Sequence, residues 1–203
     1  MPKTRATISI ENVVASATLN QRVDLNAIVK GFPGVEYRPE QFPGLVFRLK
    51  RPKTATLIFN SGKMVCTGAR SENEARRAIM NVVKELKKGG IVIIRKPELK
   101  IQNIVASASL SGKIDLEQAV GKLGKTMYEP EQFPGLIYRM DEPKVVILLF
   151  ASGKLVCTGA KKEQDVYDAV QKLHGRLEEQ DLIFYEERAR QRVIRHTALK
   201  SEV

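Results

Sequence analysis

The sequence predicts an α+β fold built from two copies of one unit, each an antiparallel sheet with its helices on one face. The first observation is an internal repeat: a shift of 91 residues aligns positions 12–69 with 103–160 without a gap, and 30 of the 58 pairs are identical. The second is that each copy runs in the same order from strand to helix, to three short strands, to a long helix. Two copies are too few for a solenoid, which needs about three, so we expect the halves to close on each other about a pseudo-twofold axis.

Each copy opens with a strand and a short helix. Residues 8–19 are rich in β-forming side chains and predict the strand. Asp24 and Asp115 predict N-caps, and the apolar residues after each have the helical spacing i, i+3, i+4, i+7. These residues are Leu25, Ile28, Val29 and Phe32 in the first copy, and Leu116, Ala119, Val120 and Leu123 in the second.

Three short strands and a long helix complete the copy. Residues 45–50, 54–60 and 63–69 predict an antiparallel meander. Ser71 and Glu74 predict a capping box, and the run 87–90, Lys-Lys-Gly-Gly, predicts the helix end before residues 91–100 lead into the second copy. The predicted apolar faces are Ala75, Ala78, Ile79, Val82 and Leu86, and in the second copy Val166, Ala169, Val170, Leu173 and Leu177.

One face of each predicted sheet carries no helix. Residues 56–59 and 147–150 are nevertheless apolar on nearly every position, so they do not alternate. Either the helix-free face meets a partner, or these are central strands buried on both sides.

Charge and composition limit the class of partner. The net charge of +11 and the pI near 9.7 favour an anionic partner, with nucleic acid and acidic membrane surfaces as candidates and solubility alone as the alternative. No apolar run approaches the roughly 20 residues of a membrane span, and the N-terminus lacks a signal core. We therefore expect a soluble intracellular protein with no membrane partner.

The residues of catalytic or metal chemistry are sparse. Cys66 and Cys157 form no CxxC pair and read as small core residues; the repeat places them at separate equivalent positions, although sequence alone leaves a disulfide open. His174 and His196 have no evident nucleophile or metal partner, and no glycine-rich phosphate loop occurs. We expect no enzyme activity, no catalytic residues, no metal and no cofactor.

Four segments and their partners 91 residues later closely resemble the TATA-binding protein family: NVVA at 12–15, EQFPGL at 40–45, LIFNSGK at 57–63 and VCTGA at 65–69. The resemblance runs from about residue 8 to 182 and is to the archaeal type. It implies a TBP-like saddle with helices on the convex face, made of repeats at 1–92 and 93–182 and followed by a basic extension at 183–203. It also implies a general transcription initiation factor that binds A·T-rich promoter DNA through the minor groove and recruits transcription factor B and, indirectly, RNA polymerase.

The resemblance assigns roles to particular residues. Four phenylalanines resemble wedges that enter base steps and bend the duplex, in the pairs Phe42 with Phe59 and Phe133 with Phe150. A single strand phenylalanine is ordinarily core, but four at duplicated motif positions favour wedges.

A second group resembles the family's base contacts. Asn12 and Asn103 resemble a central pair of amides that donate to base acceptors, although each alone could be a turn residue. Guanine would push its 2-amino group into an apolar floor, so such a floor prefers A·T. The floor residues are Val14, Val65, Val105, Val156, Leu57 and Leu148, each of which alone would read as ordinary strand, and the neighbouring hydroxyls are Thr67 and Thr158. By strand parity Val65 and Thr67 share one face, which puts Cys66 on the other.

A third group resembles contacts at the rim. The phosphate contacts would be Arg48, Arg139, Lys63, Lys154, Ser61 and Ser152, which position DNA and make binding salt-dependent. Glu129 and Glu131 resemble the acidic contact for transcription factor B. The lysines and these two glutamates could equally be solvated surface groups.

The extension departs from the family pattern because it is basic, with Arg188, Arg190, Arg192 and Arg195. We expect it to add weak electrostatic affinity for DNA, so removal of residues after Glu187 would reduce the salt slope. The localisation we expect is cytoplasmic and nucleoid-associated for an archaeal protein, or nuclear for a eukaryotic one. Two other functions are compatible with a sheet of this kind: that of a damage-processing or RNase-associated domain, and that of a protein-interaction regulator without TATA selectivity.

Overall fold

The computed structural model describes residues 6–185, and these fold into two compact units. One comprises residues 10–105 with 159–163, and the other comprises residues 106–158 with 164–185 and the start of the first strand. His196 and the four arginines of the extension lie outside the described residues, and the repeat boundaries at 92 and 182 stay predictions.

The first copy contains the predicted elements in the predicted order. They are β1 (Thr7–Thr18), α1 (Leu25–Gly31), β2 (Leu45–Lys50), β3 (Lys53–Ile58), β4 (Lys63–Ala69) and α2 (Glu72–Lys88). Neighbouring strands are antiparallel in the order β2-β3-β4-β1. Strand β3 ends two residues before the predicted end because the chain turns at residues 59–63, where Phe59 N donates to Lys63 O at 2.9 Å.

The second copy repeats this order with three additional two-residue strands. Its elements are β5 (Glu98–Ser109), β6 (Lys113–Ile114), α3 (Leu116–Leu123), β7 (Thr126–Met127), β8 (Gly135–Met140), β9 (Val145–Phe150), β10 (Lys154–Ala160), α4 (Glu163–Glu179) and β11 (Ile183–Phe184). The sheet order is β5-β10-β9-β8-β7, while β11 pairs with β6 separately.

The helix caps follow the sequence closely. Asp24 Oδ1 accepts from Asn26 N and Ala27 N, and Asp115 Oδ1 accepts from Gln118 N, so both predicted N-caps are confirmed. At α2, Ser71 Oγ accepts from Glu74 N at 3.0 Å, but the Glu74 carboxylate accepts from Arg70 N instead of Ser71 N. The capping box therefore forms with its second half displaced by one residue.

The short helices bury a narrower stripe than predicted. Val29 is 40% exposed and Val120 is 38% exposed, and Phe32 is the C-cap that follows α1 rather than a helical residue. These three positions correct the predicted stripes. A helix of two turns packs through i and i+3 alone, as α1 does through Leu25 and Ile28.

The core lies between the sheets and the long helices. All ten residues predicted for the apolar faces of α2 and α4 are buried, and α2 packs against β2, β3 and β4. Cys66 and Cys157 are free and fully buried, which confirms them as core residues. Burial raises the pKa of both thiols, that of Cys157 to about 11. Within residues 6–185 no helix is long and apolar enough to cross a membrane.

Candidate nucleic-acid interface

Each sheet has one buried face and one partly exposed face. Along β3, Thr56 and Ile58 are buried towards α2, while Ala55 and Leu57 are partly exposed on the opposite side. Strand β9 alternates in the same way, with Ile147 and Leu149 buried. The central strands are therefore not buried on both sides, and the helix-free face is accessible in each copy.

Strand register arranges the helix-free face in rows. Cross-strand pairing aligns Val46, Leu57 and Val65 in the first copy and Ile137, Leu148 and Val156 in the second. We call these the apolar rows. A neighbouring row contains Arg48, Ala55 and Thr67, with Arg139, Val146 and Thr158 as its counterpart. Sequence reasoning missed Val46, Ile137, Ala55 and Val146, although alternation from Arg48 and Leu57 places Val46 and Ala55 on this face.

The predicted wedges form two equivalent aromatic pairs. The rings of Phe42 and Phe59 meet edge to face at 5.9 Å with an interplanar angle of 67°, and Phe133 and Phe150 repeat both values. Phe42 is 44% exposed and Phe133 is 39% exposed. Gly44 and Gly135 leave room for the rings, because a Cβ at either glycine would lie 2.6 Å from the nearest ring atom.

Both predicted central asparagines lie within strands, so neither is a turn residue. Asn12 Oδ1 accepts from Gly68 N at 2.8 Å, and Asn103 Oδ1 accepts from Gly159 N at 2.7 Å. Both glycines have positive φ, 98° and 97°, which few other residues adopt. Because the backbone N–H holds each amide oxygen, the NH2 end of each asparagine is fixed as the donor, and that of Asn12 donates to Thr67 Oγ1 at 3.1 Å. Val14 and Val105 follow two residues later, both partly exposed.

The rim residues differ between the copies. Arg48 Nε lies 3.1 Å from Glu36 Oε1, and both side chains are exposed. The repeat puts Met127 where Glu36 stands, and Arg139 makes no ion pair within residues 6–185. The guanidinium of Arg48 is therefore paired with a carboxylate, whereas the equivalent guanidinium of Arg139 is available.

The remaining predicted rim residues are at the surface. Ser61, Lys63, Ser152 and Lys154 are exposed, and each serine hydroxyl accepts weakly from the lysine N–H two residues on. Glu129 and Glu131 are exposed in the loop before Phe133, where Glu129 O accepts from Phe133 N at 2.9 Å.

His174 is part of a packing network away from the helix-free face. The sequence indicated no partner for it, but Tyr185 Oη lies 2.8 Å from His174 Nε2 and donates to Glu178 Oε1 at 2.6 Å. Burial lowers the pKa of His174, which is 1% exposed, against the opposing effect of the Glu178 charge. Among residues 6–185 no group of three or more His, Cys, Asp or Glu side chains could hold a metal ion.

Comparison with known proteins agrees with the repeat. The sequence model of the family described as "Transcription factor TFIID (or TATA-binding protein, TBP)" matches residues 7–89 and 98–180. The TATA-box-binding protein of Sulfolobus acidocaldarius is 54% identical over 88% of this chain and 91% of its own length, and that of Pyrodictium occultum is 56% identical over 85% and 87%. The solved Methanococcus jannaschii TBP is 50% identical and superimposes with a TM-score of 0.77 over 85% of this chain and 98% of its own. The matched family consists of transcription factors and not enzymes. The chain belongs to the TATA-binding protein family.

Proposed function

We propose that this chain is a general transcription initiation factor that binds TATA-box promoter DNA through the minor groove and bends it. The observation that carries the proposal is the duplicated aromatic pair beside each apolar row. An exposed aromatic pair on the helix-free face of a basic protein has no role in core packing and fits a base step that has been opened.

The chemistry of the rows supports a preference for A·T pairs. The minor groove of A·T presents only the acceptors N3 and O2, whereas G·C adds the N2 amino donor. Valine and leucine in the apolar rows cannot accept from that donor, so a G·C pair would lose a hydrogen bond on binding. The fixed NH2 ends of Asn12 and Asn103 match the A·T acceptors.

The bending step follows from the wedges. Inserting a phenylalanine pair unstacks a base step at a cost of a few kcal/mol, which minor-groove-bending proteins, this family among them, offset with the wider contact on bent DNA. Exposed cations at the rim, Lys63, Lys154 and Arg139, then contact phosphates and make the affinity depend on salt.

Glu129 and Glu131 form the proposed contact for transcription factor B, through which RNA polymerase is recruited. Both carboxylates are exposed in the loop that leads to Phe133, so a partner can reach them beside bent DNA. In an archaeal cell this factor would act in the cytoplasm on nucleoid DNA. The double variant Glu129→Gln, Glu131→Gln should lose the ternary complex with transcription factor B and keep its binding to TATA DNA.

A competition assay tests the proposal. A labelled TATA duplex is displaced by unlabelled TATA or by a scrambled duplex of equal composition, at one fixed salt concentration, while energy transfer between the duplex ends reports bending. We expect the TATA duplex to compete at least about a thousandfold better, in the range of specific DNA binding. Equal competition would favour a regulator without TATA selectivity, and cleavage of either duplex would indicate an enzyme.

A further inference from the structure

A row of side chains crosses the helix-free face beside the first aromatic pair. Phe59 N donates to Lys63 O at 2.9 Å, and Lys63 pairs with Thr18 across β4 and β1. Met64 and Ala17, which adjoin Lys63 and Thr18 in sequence, are buried, so alternation places Lys63 and Thr18 on the helix-free face. The row therefore runs from the wedge across two further strands.

Two hydrogen bonds show which residue of β5 continues this row. Gln102 Nε2 donates to Ser16 Oγ at 2.6 Å, and Asn20 Nδ2 donates to Glu98 Oε1 at 2.8 Å. The chain thus passes from Ser16 to Asn20 alongside β5 while β5 is followed backwards from Gln102 to Glu98. Lys100 is the residue of β5 midway between the two contacts, and it therefore continues the row on the far side of β1.

The side chain of Lys100 lies on the helix-free face. Lys100 is exposed while Ile101 next to it is buried, and Lys100 lines a groove of about 730 Å³ together with Phe59, Lys63 and Ser16. Within residues 6–185 the ammonium groups of Lys63 and Lys100 make no ion pair or hydrogen bond. Both charges are therefore available to an anionic ligand in this groove.

The second copy has only one of these two lysines. The repeat puts Lys154 where Lys63 stands, but it puts Ser9 where Lys100 stands. A serine hydroxyl carries no charge, so the repeat does not reproduce the second cation. The cation at Lys100 is thus a feature of the first copy's wedge that the duplicated motif does not predict.

We propose that Lys100 binds a phosphate of the DNA beside the base step that Phe59 enters, in addition to the phosphate that Lys63 binds. This inference rests on the proposed function. Strand β1 separates β4 from β5, so the two lysines stand on strands about 10 Å apart and reach separate phosphates. Each phosphate that a lysine neutralises releases condensed counterions, so this contact makes the affinity more dependent on salt.

The salt dependence of binding tests the inference. The affinity for a TATA duplex and for a scrambled duplex is measured at several salt concentrations with the wild type, Lys100→Gln and Lys100→Arg. Lys100→Gln should lower the slope of log K against log salt by about 1 and weaken both duplexes alike, because a phosphate carries no sequence information. Lys100→Arg keeps the charge and should keep the wild-type slope.

Lys84→Gln is the matched control, because Lys84 is exposed on α2, which packs on the opposite face of the sheet. It removes the same charge and should leave the slope unchanged. An equal fall in slope for Lys84→Gln and Lys100→Gln would show an effect of net charge alone and overturn the inference.

Neutral methylphosphonates, placed one at a time along the TATA duplex, locate the contact. One substitution near an end of the site should weaken the wild type and leave Lys100→Gln unaffected. If Lys100→Gln keeps the wild-type slope and the wild-type profile of sensitive phosphates while still preferring TATA, the inference is wrong and the proposed function stands. If the wild type does not prefer TATA over the scrambled duplex, the proposed function itself fails.

Discussion

Phe42 and Phe59 meet edge to face at 5.9 Å with their rings partly exposed, and Phe133 and Phe150 repeat this geometry. Edge-to-face pairs of this kind are worth about 0.5–1.5 kcal/mol beyond the area they bury. The rings are therefore ordered before DNA arrives, and little side-chain entropy remains to be lost on insertion.

Phe59→Ala should weaken binding to a TATA duplex by at least about tenfold and reduce the bend, because one step is no longer held open. Energy transfer between labelled duplex ends gives both quantities. Phe184→Ala removes another exposed phenylalanine, on β11, and is the matched control that should bind and bend as the wild type does. Equal losses in the two variants would contradict the wedge assignment.

The Glu36 contact should make Arg48 a weaker phosphate ligand than Arg139. Each arginine-to-alanine change should lower the slope of log K against log salt by about 1. Arg139→Ala should cost more affinity, by at most about fivefold, because an exposed ion pair contributes no more than about 1 kcal/mol. In a Glu36→Gln background, Arg48→Ala should cost as much affinity as Arg139→Ala does. Identical costs in the presence and absence of Glu36 would show that the pair does not compete with phosphate.

His174 should make folding stability fall in mild acid. Its folded pKa is lowered by burial, so the unfolded chain binds the proton first as the pH drops. The contribution is intact above the unfolded pKa of about 6.5 and is lost as the pH falls from there towards the folded value. Urea unfolding between pH 7 and 5 should show a smaller decline for His174→Gln than for the wild type. Equal losses of stability in the two proteins would show that His174 does not cause the decline in acid.

The buried hydroxyl of Thr56 should lower the free energy of unfolding. Its side chain is fully buried, and within residues 6–185 Oγ1 has no nitrogen or oxygen partner, only a weak interaction with the Cys66 thiol, while the second copy has Ile147 at this position. Thr56→Val should raise the free energy of unfolding by about 1–2 kcal/mol. Thr54→Val is the control, because Thr54 Oγ1 donates to Pro52 O at 3.3 Å and its loss should not stabilise. Chemical denaturation distinguishes the two; a destabilised Thr56→Val would mean that the hydroxyl is satisfied.

The repeat made much of this structure predictable, because the same order of strands, helices and caps occurs twice. Strand parity placed Cys66 in the core and Val65 on the helix-free face, as the structure has them. Helical periodicity wrongly placed Val29 and Val120 on buried stripes, because a two-turn helix has too little contact to bury its whole apolar stripe. Nor could it show that Gln102 Nε2 on β5 donates to Ser16 Oγ on β1.

Other features depend on contacts that have no local signal. The Glu36 and Arg48 pair joins a loop to a strand, and nothing in the spacing indicates it. The Asn12 amide is oriented by Gly68, 56 residues away, through a positive-φ conformation that only the folded backbone defines. The sequence could assign Asn12 to the predicted site but not say which end of its amide the backbone holds.

Replacement of A·T pairs by inosine·cytosine pairs tests the central claim most directly, that the helix-free face reads the minor groove. Inosine lacks the 2-amino group, so I·C resembles A·T in the minor groove and G·C in the major groove. The affinity for a fully I·C-substituted TATA duplex should stay within about threefold of the natural duplex, and the G·C duplex should lose at least about a hundredfold. Equal losses for I·C and G·C would place recognition in the major groove and contradict the account.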